Sequence, residues 1–386
     1  MEKIGGTLKI LVKSQFVLFE PLRTMSVAVS TRPVVPELSC IKLEVKDGVV
    51  SYFATTGFLS LYIPINSDDI EVVEPGSVLV NYDLFVAALS SIEGPISLYT
   101  TDKNLMVSSV ENKKVSRRMP LAIIDNLPKP AVISGTTRTI SAENLRDIIN
   151  HVSFAAIKDG SRPELRGAYI GDMSMCGDGS RLACYTLGTD IDMTMSAEAI
   201  SALQQVMPED GDVQLNIDNW VSVKFADGTE LCFAGTTDVF PESAKSIVEA
   251  LSSKVASAVI NVTTKSITRV FGGVSVYTEK AIKFGIAYIE LKGESGHVYV
   301  KTEVPSVGMF EDELDCAYIG DDFNVLVSPQ HIMDLVDVAK TENIEIRIFS
   351  SLDPLLVSDP TNDGWKVVQS VMANSRPQEV VDNDDF

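Results

Sequence analysis

Three stretches of the chain share one pattern of apolar and polar residues. Around residues 80, 195 and 327 the sequence reads VLVNYDLFVAAL, MTMSAEAISALQ and VLVSPQHIMDLV. Each stretch begins with alternating apolar residues, the period of a β-strand, and then reaches a residue that commonly caps a helix: Asn81, Ser196 or Ser328. Apolar residues follow at the fourth and seventh positions after each cap, as in an amphipathic helix: Phe85, Ala88, Ile200, Leu203, Ile332 and Leu335. The pattern predicts a strand that leads into a short helix, three times.

The spacing of the repeat predicts three domains. The caps lie 115 and 132 residues apart, too far for a solenoid, whose units span about 20–50 residues. The 386 residues divide into three domains of the commonest size, roughly 100–150 residues. The proline-rich PKPAV and the position of the repeat place the boundaries, so the predicted domains are residues 1–130, 131–253 and 254–374, followed by an acidic tail, 375–386, that is expected to be disordered.

Each third reads as helix, strands, helix, strands, so the predicted fold class is α+β, with two helices and antiparallel sheets in each domain. In the first third, Pro21 is expected to kink or break the first helix, because proline lacks the N–H that a helix interior uses.

Composition narrows the class of protein. With 45% hydrophobic residues, each third can bury a core, and no apolar run approaches the roughly 18 residues of a membrane span. The first residues lack the apolar segment of a signal peptide. Five scattered cysteines favour reduced core thiols in a cytoplasmic protein. The net charge of −21 argues against nucleic acid unless acidic and basic residues occupy separate surfaces; FEDELD at 310–315 and NKKVSRR at 112–118 are such local clusters.

Catalytic motifs are not found in the sequence. The three histidines, His151, His297 and His331, belong to no Ser/His/Asp arrangement, and the chain has no Gly-rich phosphate loop. Asp190 and Asp192 share a strand face, which leaves a metal site open, but a solvated strand edge is the favoured interpretation. We therefore expect no enzymatic activity, no cofactor and no metal.

Four segments, taken in order, resemble the bacterial-type DNA sliding clamps, the beta subunit of the replicative DNA polymerase III holoenzyme. They are TRPVVPELSCIKLEV at 31–45, RPELRGAYI with GDGSRLA at 162–183, FPESAKSIV at 240–248 and FNVLVSPQHIMDLVDVAKTENIEIRI at 323–348. The chain departs from the family where Ser180 replaces a histidine, where Gln369-Ser370-Val371-Met372 replaces Met-Pro-Met-Arg, and where fourteen residues follow Met372. These departures are typical of a divergent or bacteriophage-encoded member.

The resemblance implies a homodimer in which two three-domain subunits join head to tail into a ring around duplex DNA. Sliding requires weak, sequence-independent phosphate contacts, and the candidates to face the DNA are Lys13, Arg23, Arg32, Arg146, Lys265 and Arg269. For the dimer interface, Val115 aligns with the family's first-domain edge strand, and Val276 and Tyr277 align with its last-domain counterpart.

The resemblance also implies a pocket that receives short peptides of the replicative polymerase, the clamp loader and other proteins with a clamp-binding motif. By matching motifs, the pocket residues are Leu165, Gly177, Gly179, Ser180, Arg181, Leu182, Pro241, Lys245, Ser246, Pro354, Val368, Gln369, Ser370, Val371 and Met372.

The implied function is that of a processivity factor that encircles DNA, slides along it and tethers the polymerase. The alternative is a dimeric scaffold of the same fold that binds peptides without encircling DNA. The tail leaves two interpretations open: a solvated end, which is favoured, or a segment that competes for the pocket through Val380, Val381 and Phe386.

Overall fold

The computed structural model describes residues 7–131, 133–156, 165–235, 240–281, 288–304, 307–339 and 341–371, without the side chains of residues 279–281. Met372 and the tail 375–386, about which the sequence makes predictions, lie outside the described residues. The chain divides into two compact units. Unit 1 comprises Met1–Arg146 and Met195–Thr237, and unit 2 comprises Asp147–Thr194 and Asp238–Phe386.

Seven α-helices occur in the part of the chain that the structure describes: α1 Phe16–Thr24, α2 Tyr82–Ser90, α3 Ala142–Val152, α4 Ala197–Val206, α5 Ser243–Ser253, α6 Thr264–Ala281 and α7 Pro329–Val338. Short 3-10 turns add to them at Met25–Ala28, Pro36–Ser39, Ile124–Asn126 and Ser153–Ala155.

The strands are short and antiparallel to their neighbours. The first nine are β1 Lys9–Val12, β2 Cys40–Lys46, β3 Val49–Thr55, β4 Leu59–Ile65, β5 Ile70–Glu74, β6 Gly76–Asn81, β7 Ile96–Thr101, β8 Asn104–Ser109 and β9 Ser116–Ala122. The next eight are β10 Thr136–Ser141, β11 Gly167–Ile170, β12 Met173–Gly177, β13 Arg181–Thr186, β14 Met193–Ser196, β15 Asp212–Ile217, β16 Trp220–Lys224 and β17 Glu230–Ala234. The last nine are β18 Ala258–Thr263, β19 Ile289–Glu294, β20 His297–Val304, β21 Gly308–Leu314, β22 Cys316–Gly320, β23 Phe323–Val327, β24 Asn343–Ile348, β25 Leu355–Asp359 and β26 Asn362–Gln369.

Two large sheets and one small sheet organise these strands. A thirteen-stranded sheet runs in the order β10-β15-β16-β17-β4-β3-β2-β6-β9-β8-β7-β1-β5, and a nine-stranded sheet runs in the order β14-β11-β12-β13-β26-β25-β24-β18-β22. A four-stranded sheet has the order β21-β20-β19-β23. The middle third of the sequence contributes to both large sheets, through the pairs β17–β4 and β13–β26.

The three repeated strand–helix phrases are confirmed as β6–α2, β14–α4 and β23–α7. The side chains of Asn81, Ser196 and Ser328 each accept a hydrogen bond from the backbone N–H three residues later, at 3.1, 3.1 and 3.4 Å. These bonds satisfy N–H groups that the first turn of a helix leaves unpaired. The apolar positions that follow each cap are buried, as the spacing predicts: Phe85, Ala88, Ile200, Leu203, Ile332 and Leu335.

Helix α1 is not broken at Pro21, so one of the two outcomes predicted for it does not occur. It continues through Pro21 to Thr24 rather than ending there, and the chain then tightens into the 3-10 turn that begins at Met25. Leu18 and Leu22, on the two sides of the proline, are fully buried. An interior proline costs about 3 kcal/mol, whereas burying two leucines contributes roughly 1.5–3 kcal/mol each, so packing outweighs the lost hydrogen bond.

Helix α5 is additional to the six helices that the repeat predicts, two in each third. Its first six residues belong to the FPESAKSIV segment, which the sequence analysis identified by resemblance but not as a helix. Its buried residues, Ala244, Val248 and Leu251, follow a helical spacing and pack into an apolar cluster with strands of the nine-stranded sheet. The division into three domains remains a prediction, because the two compact units divide the middle third between them.

Candidate functional site

A cavity of about 290 Å³ opens in unit 2, between the β12–β13 turn, the end of β26 and helix α5. Its lining is mostly apolar, with serine hydroxyls among the lining groups. The lining residues are Leu165, Gly177, Gly179, Ser180, Arg181, Leu182, Phe240, Pro241, Ser243, Ala244, Ile247, Pro354, Val368 and Ser370. Concave, largely apolar pockets with a few polar groups are typical of ligand-binding sites.

The β12–β13 turn has a fixed conformation. The Asp178 carboxylate accepts hydrogen bonds from the backbone N–H groups of Ser180 and Arg181 at 2.8 and 2.9 Å. Gly179 has φ +88°, a conformation that side chains disfavour. A Cβ at Gly177 would lie 2.8 Å from the Arg181 carbonyl oxygen. The sequence GDGS therefore makes a tight turn, and its glycines allow the close approach of the two strands.

Strands β13 and β26 form one wall of the pocket. Leu182 pairs with Val368, and Arg181 pairs with Gln369. Successive residues of a strand point to opposite faces of the sheet, so the first pair faces the cavity and the α5 cluster while the side chains of the second pair face away. The end of the wall is closed by Ser370, whose N–H donates to the Ser180 carbonyl at 2.9 Å.

Helix α5 forms the opposite wall, and this wall contains the lining residues that the sequence analysis missed. Ser243, Ala244 and Ile247 follow Phe240 by three, four and seven residues, which places the four on one side of a helix and its entry. Ile247 is 45% exposed, unusual for an isoleucine on an otherwise amphipathic helix. The spacing i, i+3, i+4 and i+7 of these residues is the sequence signal that could have identified this helix wall.

Ten of the fifteen predicted pocket residues line the cavity. Four others do not: Lys245 and Ser246 lie on other sides of α5, and Gln369 and Val371 do not contact the cavity. Met372 lies outside the described residues. The helical period explains the difference for Lys245, whose Nζ donates to the Asp172 carboxylate at 3.0 Å instead.

Arg181 is the most highly connected charged residue at the site, and its side chain is 5% exposed. Its Nε donates to the Asp178 Oδ2 at 3.1 Å and its Nη1 to the Asp334 Oδ2 at 2.7 Å. Its Nη2 donates to the Phe154 carbonyl at 2.9 Å, and the guanidinium lies 5.4 Å from the centre of the Phe154 ring. Burial and then repulsion from the Arg181 guanidinium lower the pKa of the neighbouring His331 below its usual value.

Two of the residues predicted to face DNA are engaged within the chain. Arg146 donates to the backbone carbonyls of Pro208 and Glu209, which follow helix α4. Arg269 donates to the Asp312 carboxylate at 2.6 Å. Arg269 therefore pairs with a carboxylate of its own chain, whereas the Arg146 guanidinium is held by two neutral carbonyl groups.

The other four basic candidates are exposed. Lys13 lies 3.4 Å from the Asp69 carboxylate, and Arg23 lies 3.9 Å from the Glu20 carboxylate. The remaining two, Arg32 and Lys265, make no ion pair with another described residue.

The dimer candidate Val115 directly precedes β9. Strand β9 pairs with β8 over Ser116–Pro120, but with β6 only at Leu121 and Ala122. The other edge of its first five residues is therefore unpaired within the described part of the chain, and its basic side chains are exposed at Arg117 and Arg118.

The dimer candidates Val276 and Tyr277 lie on helix α6, not on an edge strand. The expectation of a strand was wrong because VFGGVSVYT has apolar residues at both the strand and the helix period, and the helical set is buried, at Val270 and Val274. The place of Val276 and Tyr277 in the dimer interface stays a prediction. The edge strand of this region is β21, which pairs with β20 alone among the described strands. The Tyr277 ring packs 5.6 Å from the Phe310 ring of β21, so α6 and β21 form one surface.

The remaining chemistry of the described residues is sparse. No three His, Cys, Asp or Glu residues among them form a group that could hold a metal ion, and Asp190 and Asp192 are both exposed. No helix in the described ranges is long and apolar enough to cross a membrane. The five cysteines are free thiols, and burial raises the pKa of Cys176 and Cys184 to about 12.

Known proteins resemble the chain over nearly its whole length. The family models of the DNA polymerase III beta subunit match its N-terminal domain at residues 8–122 and its C-terminal domain at residues 253–373, together more than half of the chain. The beta sliding clamp of Streptococcus pneumoniae is 21% identical over 383 residues, 92% of this chain and 97% of the relative.

Solved structures agree in fold. The DNA polymerase III beta chain of Streptococcus pneumoniae superposes with a TM-score of 0.86 at 17% identity, covering 95% of this chain and 99% of that one. A sliding clamp of Bartonella birtlesii bound to griselimycin superposes with a TM-score of 0.85 at 18% identity, covering 95% and 100%. Both family models and the curated relatives agree, and the chain belongs to the family of DNA polymerase III beta subunits, the bacterial beta sliding clamps.

Proposed function

We propose that the protein is a processivity factor: a homodimeric ring that encircles duplex DNA, slides along it and tethers the replicative DNA polymerase. The observation that carries the proposal is the apolar cavity between the β12–β13 turn, β26 and α5, in a chain of the sliding clamp family. Such a factor needs no catalytic group, and its place of action is the cytoplasm.

The cavity is the proposed docking site for polymerase, clamp loader and other clamp-binding proteins. Its apolar lining favours leucine-like or aromatic anchors from a short peptide, because desolvated apolar pockets concentrate binding energy. Charge contributes little, since Arg181 and Lys245 are already paired with carboxylates of their own chain. Griselimycin, to which two related clamps are bound, is a suitable probe of the same cavity.

The proposed dimer joins β9 of one subunit to β21 of the other. Strand β21 carries Glu311, Asp312 and Glu313 and has no second neighbour among the described strands. Strand β9 carries Arg117 and Arg118 on the edge that no described strand pairs with. Unpaired edges pair readily with another strand, and opposite charges select the correct partner. Two such head-to-tail contacts close a ring when the rotation between subunits closes.

The proposed DNA contacts are weak. Arg32, Arg146 and Lys265 are the candidates whose charge is not paired with a carboxylate of a described residue, although backbone carbonyls hold the Arg146 side chain. Helices α2 and α4 contain no lysine or arginine. A ring holds DNA topologically, so it does not need strong phosphate contacts, and weak ones permit sliding.

The experiment that tests the proposal compares nicked circular DNA with linear DNA of the same length. Protein and DNA are incubated together with a bacterial clamp loader and ATP, which open the ring, and are then separated by gel filtration in moderate salt. An encircling clamp elutes with the circles and slides off the linear ends. Elution away from both DNAs would favour the alternative, a scaffold that binds peptides without encircling DNA.

A further inference from the structure

The wall of the pocket has a charged cluster on its far face. Leu182 and Val368 face the cavity, whereas their strand neighbours Arg181 and Gln369 face helix α7. Arg181 is tied to α7 by its 2.7 Å bond to Asp334. The same short part of β13 and β26 therefore lines the cavity on one face and forms an ion pair with α7 on the other.

A second set of hydrogen bonds joins α7 to the rim of the same wall. His331 Nδ1 lies 3.2 Å from Gln369 Oε1, and Gln369 Nε2 donates to the Ser370 carbonyl at 3.0 Å. Ser370 in turn donates its N–H to Ser180 across the wall. The Asp334 carboxylate is itself held by Gln330, whose Nε2 donates to Oδ1 at 2.6 Å.

We propose that the Arg181–Asp334 ion pair is a positioning contact, which holds the β13–β26 wall in the shape that receives a partner. The inference rests on the proposed function of the pocket and adds how the pocket is kept in shape. Arg181 does not bind the partner through its guanidinium, because Nε, Nη1 and Nη2 each already donate to an acceptor of this chain.

The physical reason is the cost of leaving a buried guanidinium with one of its two carboxylate partners, Asp178, but without the shorter bond to Asp334. A guanidinium with 5% exposure keeps its place only while its acceptors are present, and removing one acceptor of a buried pair is strongly unfavourable. Without Asp334, the guanidinium moves toward water, and it takes with it the backbone of the strand that lines the cavity. Binding sites need such supporting contacts to hold their lining groups in place.

The test uses the full-length protein and griselimycin as the probe. Asp334→Asn removes the charge and keeps the shape, and we expect the dissociation constant to rise about tenfold, within the range of coupling between contacting groups. Asp334→Glu restores the charge and is expected to recover part of the affinity. Asp337→Asn, an exposed carboxylate one turn later on α7, is the matched control and is expected to bind like the wild type.

Hydrogen exchange supplies a readout that a general loss of stability would not reproduce. In Asp334→Asn, the amides of Ser370 and Arg181 are expected to exchange faster, while amides of β7 and β8 in unit 1 keep their wild-type rates. Equal acceleration throughout the chain would overturn the positioning role, as would wild-type affinity in Asp334→Asn. Failure of the wild-type protein itself to bind griselimycin would overturn the proposed pocket, and this inference with it.

Discussion

Truncating Leu182 tests whether the cavity is the binding site. Leu182 lies in β13, contacts the cavity and is only partly buried against the α5 cluster. Leu182→Ala removes three carbon atoms, which would be worth about 2.4 kcal/mol if a partner buried them completely, at about 0.8 kcal/mol for each. Because the side chain is already partly covered, about 1.5 kcal/mol remains for binding, equivalent to roughly a tenfold rise in the dissociation constant.

Titration calorimetry with griselimycin or a polymerase-derived peptide measures this change. Leu187→Ala, which truncates the same residue type just beyond β13 and outside the cavity, is the matched control. Urea unfolding of both variants shows whether the fold is retained, and we expect each to lose about 1 kcal/mol or less, because neither leucine is fully buried. An unchanged dissociation constant in a folded Leu182→Ala variant would refute the assignment, and so would an equal loss in Leu187→Ala.

Three further predictions concern the assembly, the thiols and the tail. Sedimentation should give a dimer at micromolar concentration and low salt, and the dimer should weaken as the salt concentration rises. Arg118→Glu should weaken the dimer further, and adding Glu311→Arg in the same chain should partly restore it. A monomer at low salt would contradict the interface. Burial raises the pKa of Cys176 and Cys184 to about 12, so their contribution to stability is complete below about pH 9 and is lost as pH rises toward 12. The loss is up to about 1.4 kcal/mol per pH unit for each thiol. Urea unfolding between pH 8 and 11 should show this decline in the free energy of unfolding, and Cys184→Ala should reduce its slope. Deleting residues 375–386 should leave the affinity for griselimycin unchanged, and a higher affinity after deletion would instead indicate that the tail competes for the pocket.

The sequence predicts the helices and strands of this chain better than it predicts which of them pack together. The caps at Asn81, Ser196 and Ser328 were identified because the cap and the apolar stripe lie within one short segment. The pairing of β13 with β26 joins residues almost two hundred positions apart, and no local pattern specifies it. The family resemblance supplied that information for the pocket.

The site shows the same limit at the level of single side chains. Alignment of motifs placed Lys245 at the cavity, but the helical turn of α5 presents Ala244 and Ile247 instead. Alignment also placed Arg181 at the cavity, and it is among the lining residues, but its guanidinium bonds to Asp334 on α7. Which face of a strand or helix a residue occupies depends on register, and register is fixed by packing rather than by residue type.

The measurement that tests encirclement most directly is release of the protein when the DNA circle is cut. Protein is first retained on a nicked circular plasmid, which is then linearised at one site with a restriction enzyme, and bound protein is measured before and after the cut. A clamp held by topology should leave the DNA within minutes of cutting, at a salt concentration that leaves it on uncut circles. Equal retention on cut and uncut DNA would show that the protein binds DNA by direct contact, and would contradict the ring.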